Sequence, residues 1–171
     1  DLDPNDQSKG ALAREKMLQA ALAVFGEHGF DGATTRMLAQ AANMNLGAIP
    51  YYFGSKEDLY TQAADYLASF IETRQAQPLA HLHQAASQTQ DREVLCDLVV
   101  NFLLGQARTV LTENIPTSWM HFFLKAQAEQ GDAFNCLYRR VIEPGQTVLT
   151  EVVGRMIGRP SDDTVTHALA F

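Results

Sequence analysis

Basic side chains are scarce in this sequence. Its 171 residues hold 13 Lys and Arg against 20 Asp and Glu, a net charge of −7. That balance excludes a broad cationic surface, and with it tight sequence-independent binding to nucleic acid, which comes mostly from counterions displaced by Lys and Arg. Cysteine is rare too. Cys96 and Cys136 are too few for a disulfide framework, and both fall in apolar helical patterns. They are expected to be reduced, buried thiols of a cytoplasmic protein. No stretch reaches the ~18 consecutive apolar residues of a membrane span, so no membrane partner is expected. The polar start DLDPNDQSKG reads as a flexible arm rather than a signal peptide. Strand-like alternation and internal repeats are absent. So are a nucleophile elbow, a phosphate loop, HExxH, paired Glu-x-x-His motifs and a zinc-spaced cysteine pair. His81 and His83 stand two apart, not the three or four that would put them on one helical face as metal ligands. No catalytic residue, metal or cofactor is expected.

What is present is apolar residues at helical spacing, within a chain that is 46% hydrophobic. The stretch Thr34–Lys56, TTRMLAQAANMNLGAIPYYFGSK, organises the rest. Thr34 is a good N-cap for a first short helix carrying Leu38, Ala39 and Ala42. Asn43 stands at a turn and tolerates the left-handed conformation. Asn45 is expected to cap a second short helix carrying Gly47, Ala48, Tyr51 and Tyr52, and Gly54 to stop it. Pro50 removes an N–H that would bond the Leu46 carbonyl, which predicts a kink. Ser55 to Asp58 reads as a capping box opening a long helix, with Asp58 in place of the usual Glu or Gln.

Two short helices around a tight turn outline a helix-turn-helix DNA reader. The bare Gly47 and Ala48 would let the backbone approach the duplex, and Tyr51 and Tyr52 would offer hydroxyls to phosphates or base edges. Lys56, at the start of the next helix, would favour a phosphate. Residues 7–60 hold five basic and five acidic residues, so this reader is neutral. Its binding must come from directed contacts, and the acidic remainder of the chain should face away from DNA.

The segment from Arg14 to Leu59 resembles the DNA-binding domain of the TetR family of transcriptional regulators. The residues that carry the resemblance run in order: Arg14, the run MLQAALAVF ending at Phe25, then GEHGF. After these come Thr34 with Leu38 and Ala39, Ala42, Gly47, the aromatic pair before Phe53, and Ser55-Lys56-Glu57-Asp58-Leu59. Asn43 and Asn45 stand where Gly and Ser are usual. The resemblance implies DNA contacts from Thr34, Thr35, Arg36, Asn45, Leu46, Gly47, Ala48, Tyr51, Tyr52 and Lys56. It also implies a homodimer on a palindromic operator in double-stranded DNA, released by a small-molecule inducer.

The fold class expected is all-α: an N-terminal three-helix helix-turn-helix domain joined by a long helix to a C-terminal helical ligand-binding and dimerisation domain. Residues 1–10 would be the arm, 11–57 the reader and 58–171 the second domain. Helix one would run from Ala11 to His28, with Phe25 against Leu38 and Phe53, and end at Gly29. The long helix would reach about Gln75, and Pro78 would mark an interruption over residues 76–91. A helix over Asp91–Thr112 carries Val94, Leu95, Leu98, Val99, Phe102, Leu103, Val110 and Leu111. Pro116 restarts the chain into TSWMHFFLKAQAE, Pro144 breaks or kinks the next helical stretch, and Ser161 would cap the last segment. A small, largely apolar ligand is expected against Tyr66, Phe70, Phe102, Trp119, His121 and Phe122. Val165, Ala168, Leu169 and Phe171 open an apolar face rather than close one, and chains of this family are commonly longer. The dimerisation helices are therefore expected to be incomplete here. Two other classes compete with the regulator: a helical partner-binding protein with a degenerate reader, and an all-α enzyme.

Overall fold

The computed structural model describes the backbone of residues 4–113 and 115–170 and the side chains from residue 9 onward. Among the described residues every regular element is helical. In order they are α1 (Pro4–Gly32), α2 (Thr35–Ala41), α3 (Ala48–Tyr52), α4 (Lys56–Ser87), α5 (Arg92–Thr112), α6 (Thr117–Glu129), α7 (Asp132–Leu137), a π-helical turn (Tyr138–Ile142), α8 (Glu143–Ile157) and α9 (Thr164–Ala170). The packing divides into two units: Asp1–Ala68 with Pro116–Leu137, and Ser69–Ile115 with Tyr138–Phe171. The division falls inside α4. The α6–α7 segment joins the first unit because its apolar face is matched there.

Helix α1 begins at Pro4, earlier than the apolar pattern of Ala11 onward predicts, within the stretch expected to be an arm. Proline suits a first helical turn, where no N–H partner is needed. Residues 1–3 lie outside the described residues. At the other end, Gly29 leaves helical geometry at φ 73°, which a glycine adopts without strain.

In the first unit, α1 buries Met17, Ala21, Leu22 and Phe25 completely, at the spacing of one helical face. Helix α6 answers with Trp119, Phe122 and Ala126. The two helices approach so closely that a Cβ on Gly26 would lie 1.9 Å from the Ser118 carbonyl oxygen. The ring neighbours of Phe25 are Phe30, Tyr60 and Phe122, with centroids 6.1, 4.9 and 6.4 Å away. Lys125 adds a hydrogen bond from its Nζ to the Glu27 carbonyl at 2.9 Å.

In the second unit, α4 continues across Pro78 to Ser87 instead of ending near Gln75. Proline there forfeits the bond to the Arg74 carbonyl, at a cost of roughly 3 kcal/mol. Beyond it, Leu82 and Ala86 are buried in a core with Leu95 and Val152, and this packing holds the helix together. Arg155 donates to the carbonyls of Ala86 and Thr89, each at 2.6 Å, and so ties α8 to the end of α4 and the turn that follows it. Asp91 caps α5 by accepting from the N–H groups of Glu93 and Val94. Pro144 does not break the chain. It sits in the first turn of α8, where its missing N–H costs nothing, and the π-helical turn before it absorbs the change of register. Asp163, not Ser161, caps α9 by accepting from the N–H groups of Val165 and Thr166.

Helix α5 departs from its expected burial. Leu95 is enclosed, and Leu98, Val99 and Phe102 pack on the core. Leu103, Val110 and Leu111 are exposed, Leu111 by 81%. By length and composition alone α5 is apolar enough to cross a membrane. Cys96 is exposed and Cys136 half-buried, so neither is the fully buried thiol expected.

Candidate nucleic-acid interface

The reader is built from its caps outward. Thr34 accepts a hydrogen bond from the Met37 N–H at 3.2 Å and starts α2. Leu38 and Ala39 anchor that helix in the core. Asn43 turns the chain in the left-handed region at φ 53°. The next helix starts later than its expected cap. Gly47, not Asn45, precedes α3, and it makes no side-chain capping bond. Asn45 instead contributes its backbone carbonyl, which accepts from the Ala48 N–H at 3.1 Å.

Pro50 does not disturb α3. It is the third helical residue, where the N–H would lack an intrahelical partner in any case. The Tyr51 and Phe53 N–H groups still reach the carbonyls of Gly47 and Ile49. Gly54, at φ 89°, ends the element. Ser55 then opens α4: its Oγ accepts from the Asp58 N–H at 3.0 Å and donates to the Asp58 carboxylate at 2.7 Å.

Seven of the ten candidate DNA residues are exposed: Thr34, Thr35, Arg36, Asn45, Leu46, Gly47 and Tyr51. Tyr51 is 80% exposed and Leu46 52%. Tyr52 and Lys56 are half-buried. Tyr51 meets Tyr52 edge to face at 4.7 Å, and the Lys56 ammonium lies 4.3 Å from the Phe30 ring centroid. Ala48 differs from these seven in burial. It is buried, and with Ile49 forms the side of α3 that seats the helix on its own unit. A five-residue helix needs such an anchor, because it is too short to be stable alone.

One positioning residue has no role assigned by local sequence pattern. Arg14 of α1 donates to the Tyr52 carbonyl at 2.7 Å and to Gln62 Oε1 on α4. Its guanidinium also lies 4.7 Å from the Phe53 ring centroid. It ties the end of α3 to the two long helices of the unit. The signal was the arginine at the head of the family pattern, which carries no indication of its partner 38 residues away.

The six candidate ligand residues fall in different units. In the first, Trp119 is edge-on to Tyr66 at 5.9 Å. Phe122 has no exposed surface and packs against Phe25 and Tyr60. A side chain with no surface open to a water-sized probe lines no cavity, so Phe122 is core. His121 is exposed, one step around the helix from Phe122. Tyr60 donates to Glu129 at 2.6 Å; burial first, then that carboxylate, pushes its phenol well above the usual range. Burial likewise raises the Tyr66 phenol. In the second unit, Phe70 stacks on the Arg74 guanidinium. Phe102 lines a groove of about 510 Å³ with Pro78, Leu82, Gly105 and Gln106. Among the described residues there is no cluster of three or more metal-ligating side chains.

Residues 17–63 match the family model of bacterial regulatory proteins of the tetR family. Residues 92–171 match the C-terminal domain of the HTH-type transcriptional dual regulator CecR. Over 166 residues the chain is 34% identical to the dual regulator CecR of Shigella flexneri, covering 94% of this chain and 74% of that one. Over 56 residues it is 42% identical to the transcriptional repressor AcnR of Corynebacterium glutamicum, covering 33% of this chain and 30% of that one. A solved structure from Mesorhizobium loti, assigned to the TetR family of transcriptional regulators, is similar in fold. Its TM-score is 0.60 at 16% identity, over 94% of this chain and 76% of that one.

Proposed function

The chain belongs to the tetR family of bacterial regulatory proteins and is a DNA-binding transcriptional regulator; from that premise we propose that it is a cytoplasmic repressor which binds a palindromic operator as a homodimer and is released by a small, largely apolar molecule. Regulators of this family bind operator DNA and small molecules and act as dimers, and they are not enzymes. The observation that carries the reading is the exposure of Gly47 and Tyr51 beside a firmly seated Ala48 and Ile49. A tyrosine left 80% open to water on a neutral reader is available for a phosphate or a base edge. In a two-fold dimer, two such readers enter successive major grooves about 34–36 Å apart.

Release requires a ligand that prefers one of two states, since a ligand of equal affinity for both shifts nothing. Helix α4 supports that coupling. It opens with Ser55 and Lys56 at the reader and runs on through Leu82 and Ala86 of the second unit. The groove beside Phe102 supports a ligand in the second unit, and Trp119 with Tyr66 supports a response in the first.

The test is a footprint on the DNA flanking the protein's own gene. A protected palindrome supports the repressor, and no protection at low salt by a folded dimer removes it. Tyr51→Ala and Lys56→Ala should each weaken operator binding without unfolding the protein. Unchanged affinity in both would displace the reader from this surface. Trp119→Ala should alter the response to ligand more than the affinity for the operator.

A further inference from the structure

The surface that enters the groove carries almost no charge. Between Arg36 and Lys56 the sequence contains no Asp, Glu, Lys, Arg or His. On the segment from Asn45 to Tyr51, the exposed residues are Asn45, Leu46, Gly47, Pro50 and Tyr51, while Ala48 and Ile49 point into the protein. Leu46 is held half in water just ahead of α3. Asn45 stands beside it, exposed, with its amide over Gly47: a Cβ at residue 47 would lie 3.4 Å from Asn45 Oδ1. The Asn45 amide has no hydrogen-bond partner among the described residues.

Base pairs differ in what they ask of such a surface. Guanine is read best by a bidentate Arg or Lys, and cytosine by a carboxylate. This segment has neither. Adenine is read by a bidentate Asn or Gln, and thymine presents a 5-methyl group that an apolar side chain can cover. Those are the chemistries displayed here, on adjacent residues. Leaving Leu46 in water has no structural return within the chain, whereas covering a thymine methyl removes apolar surface from water on both sides.

Resting on the DNA-binding reading above, we infer that the base pairs facing Asn45–Tyr51 in each half-site are A·T, with Leu46 packed on a thymine 5-methyl group and Asn45 paired to an adenine. Sequence selection at these positions is then carried by a methyl contact and one amide, and Arg36, on α2, lies outside this segment.

The experiment starts from a random duplex pool, from which the full chain selects its preferred site. Each thymidine of that site is then replaced in turn by deoxyuridine, which deletes the methyl group and leaves the pairing intact. Replacing the thymidine under Leu46 should weaken binding about fourfold in one half-site and on the order of fifteenfold in both, from the transfer value of one buried methyl. In Leu46→Ala, whose side chain is exposed and takes no part in the core, the same replacement should change binding by less than about twofold. A selected site with G·C pairs facing the segment overturns the inference. So does a site at which no deoxyuridine matters, or one at which its effect is undiminished in Leu46→Ala; in each case the regulator reading stands. Failure to enrich any sequence removes that reading along with the inference.

Discussion

The first unit closes its own core, and the second leaves apolar surface open. Phe25, Leu38, Leu59 and Phe122 have no exposure at all, and rings from α1, α4 and α6 interlock around them. In the second unit the enclosed core is smaller, built on Leu82, Ala86, Leu95 and Val152. Leu103, Leu104 and Leu111 of α5 stay in water. Glycine use follows the same division. Gly26 is obligatory because two backbones nearly touch, whereas a Cβ on Gly105 would meet nothing within 4 Å. A reader that must present a five-residue helix in fixed geometry needs a rigid support. The proposed ligand or second chain would have surface there still to cover.

The largest effect expected is at that pair of glycines. Gly26→Ala drives a methyl into the Ser118 carbonyl and should cost about 3 kcal/mol or more in urea unfolding. Gly105→Ala should be neutral or stabilising by up to about 1 kcal/mol, from helix propensity alone. Equal effects at the two positions would erase the contrast between the units.

Arg14→Ala tests whether the rigidity serves the reader. It removes the bond to the Tyr52 carbonyl and the contact over Phe53. Stability should fall by about 1–3 kcal/mol, and operator affinity should fall further than for a variant of matched stability elsewhere in the unit. Arg14→Lys should not rescue it, because an ammonium cannot reach two acceptors in one plane.

Smaller effects separate capping from contact. Thr34→Ala should cost about 1 kcal/mol, since its hydroxyl caps α2. Asn45→Ala should leave stability within about 0.5 kcal/mol while lowering operator affinity, since Asn45 caps nothing with its side chain. The smallest effect is confined to alkali. The Tyr60 phenol is raised above its ordinary value of 10.0, so the folded state keeps a proton that the unfolded chain has lost. The stability it contributes is complete below about pH 10 and declines as pH rises beyond that value. Thermal melts from pH 9 to 11 should show this slope in the native chain and a shallower one in Tyr60→Phe.

Much of the reader was legible residue by residue. Thr34, Asn43, Gly54 and Ser55 act through bonds or dihedrals within three residues of themselves, so local chemistry was enough. Asn45 and Pro50 misled for a shared reason. Both were placed by counting from an assumed cap, and moving the helix start to Ala48 turned the cap into a loop residue and made the proline harmless. Pro78 looked like a stop because its cost is local, while the burial of Leu82 and Ala86 that offsets it depends on partners in α5 and α8.

The sequence by itself determined the class of fold, the order of its helices and the kind of reader it carries, because caps, glycines and apolar periodicity act over one or two turns. Tertiary structure alone decided which of two chemically similar surfaces became core and which became site. Phe122 went inside because Phe25 and Tyr60 were there to meet it, and α6 joined the first unit because Gly26 left room for its backbone. Those choices depend on residues far apart in the chain, and no local pattern records which of them will meet.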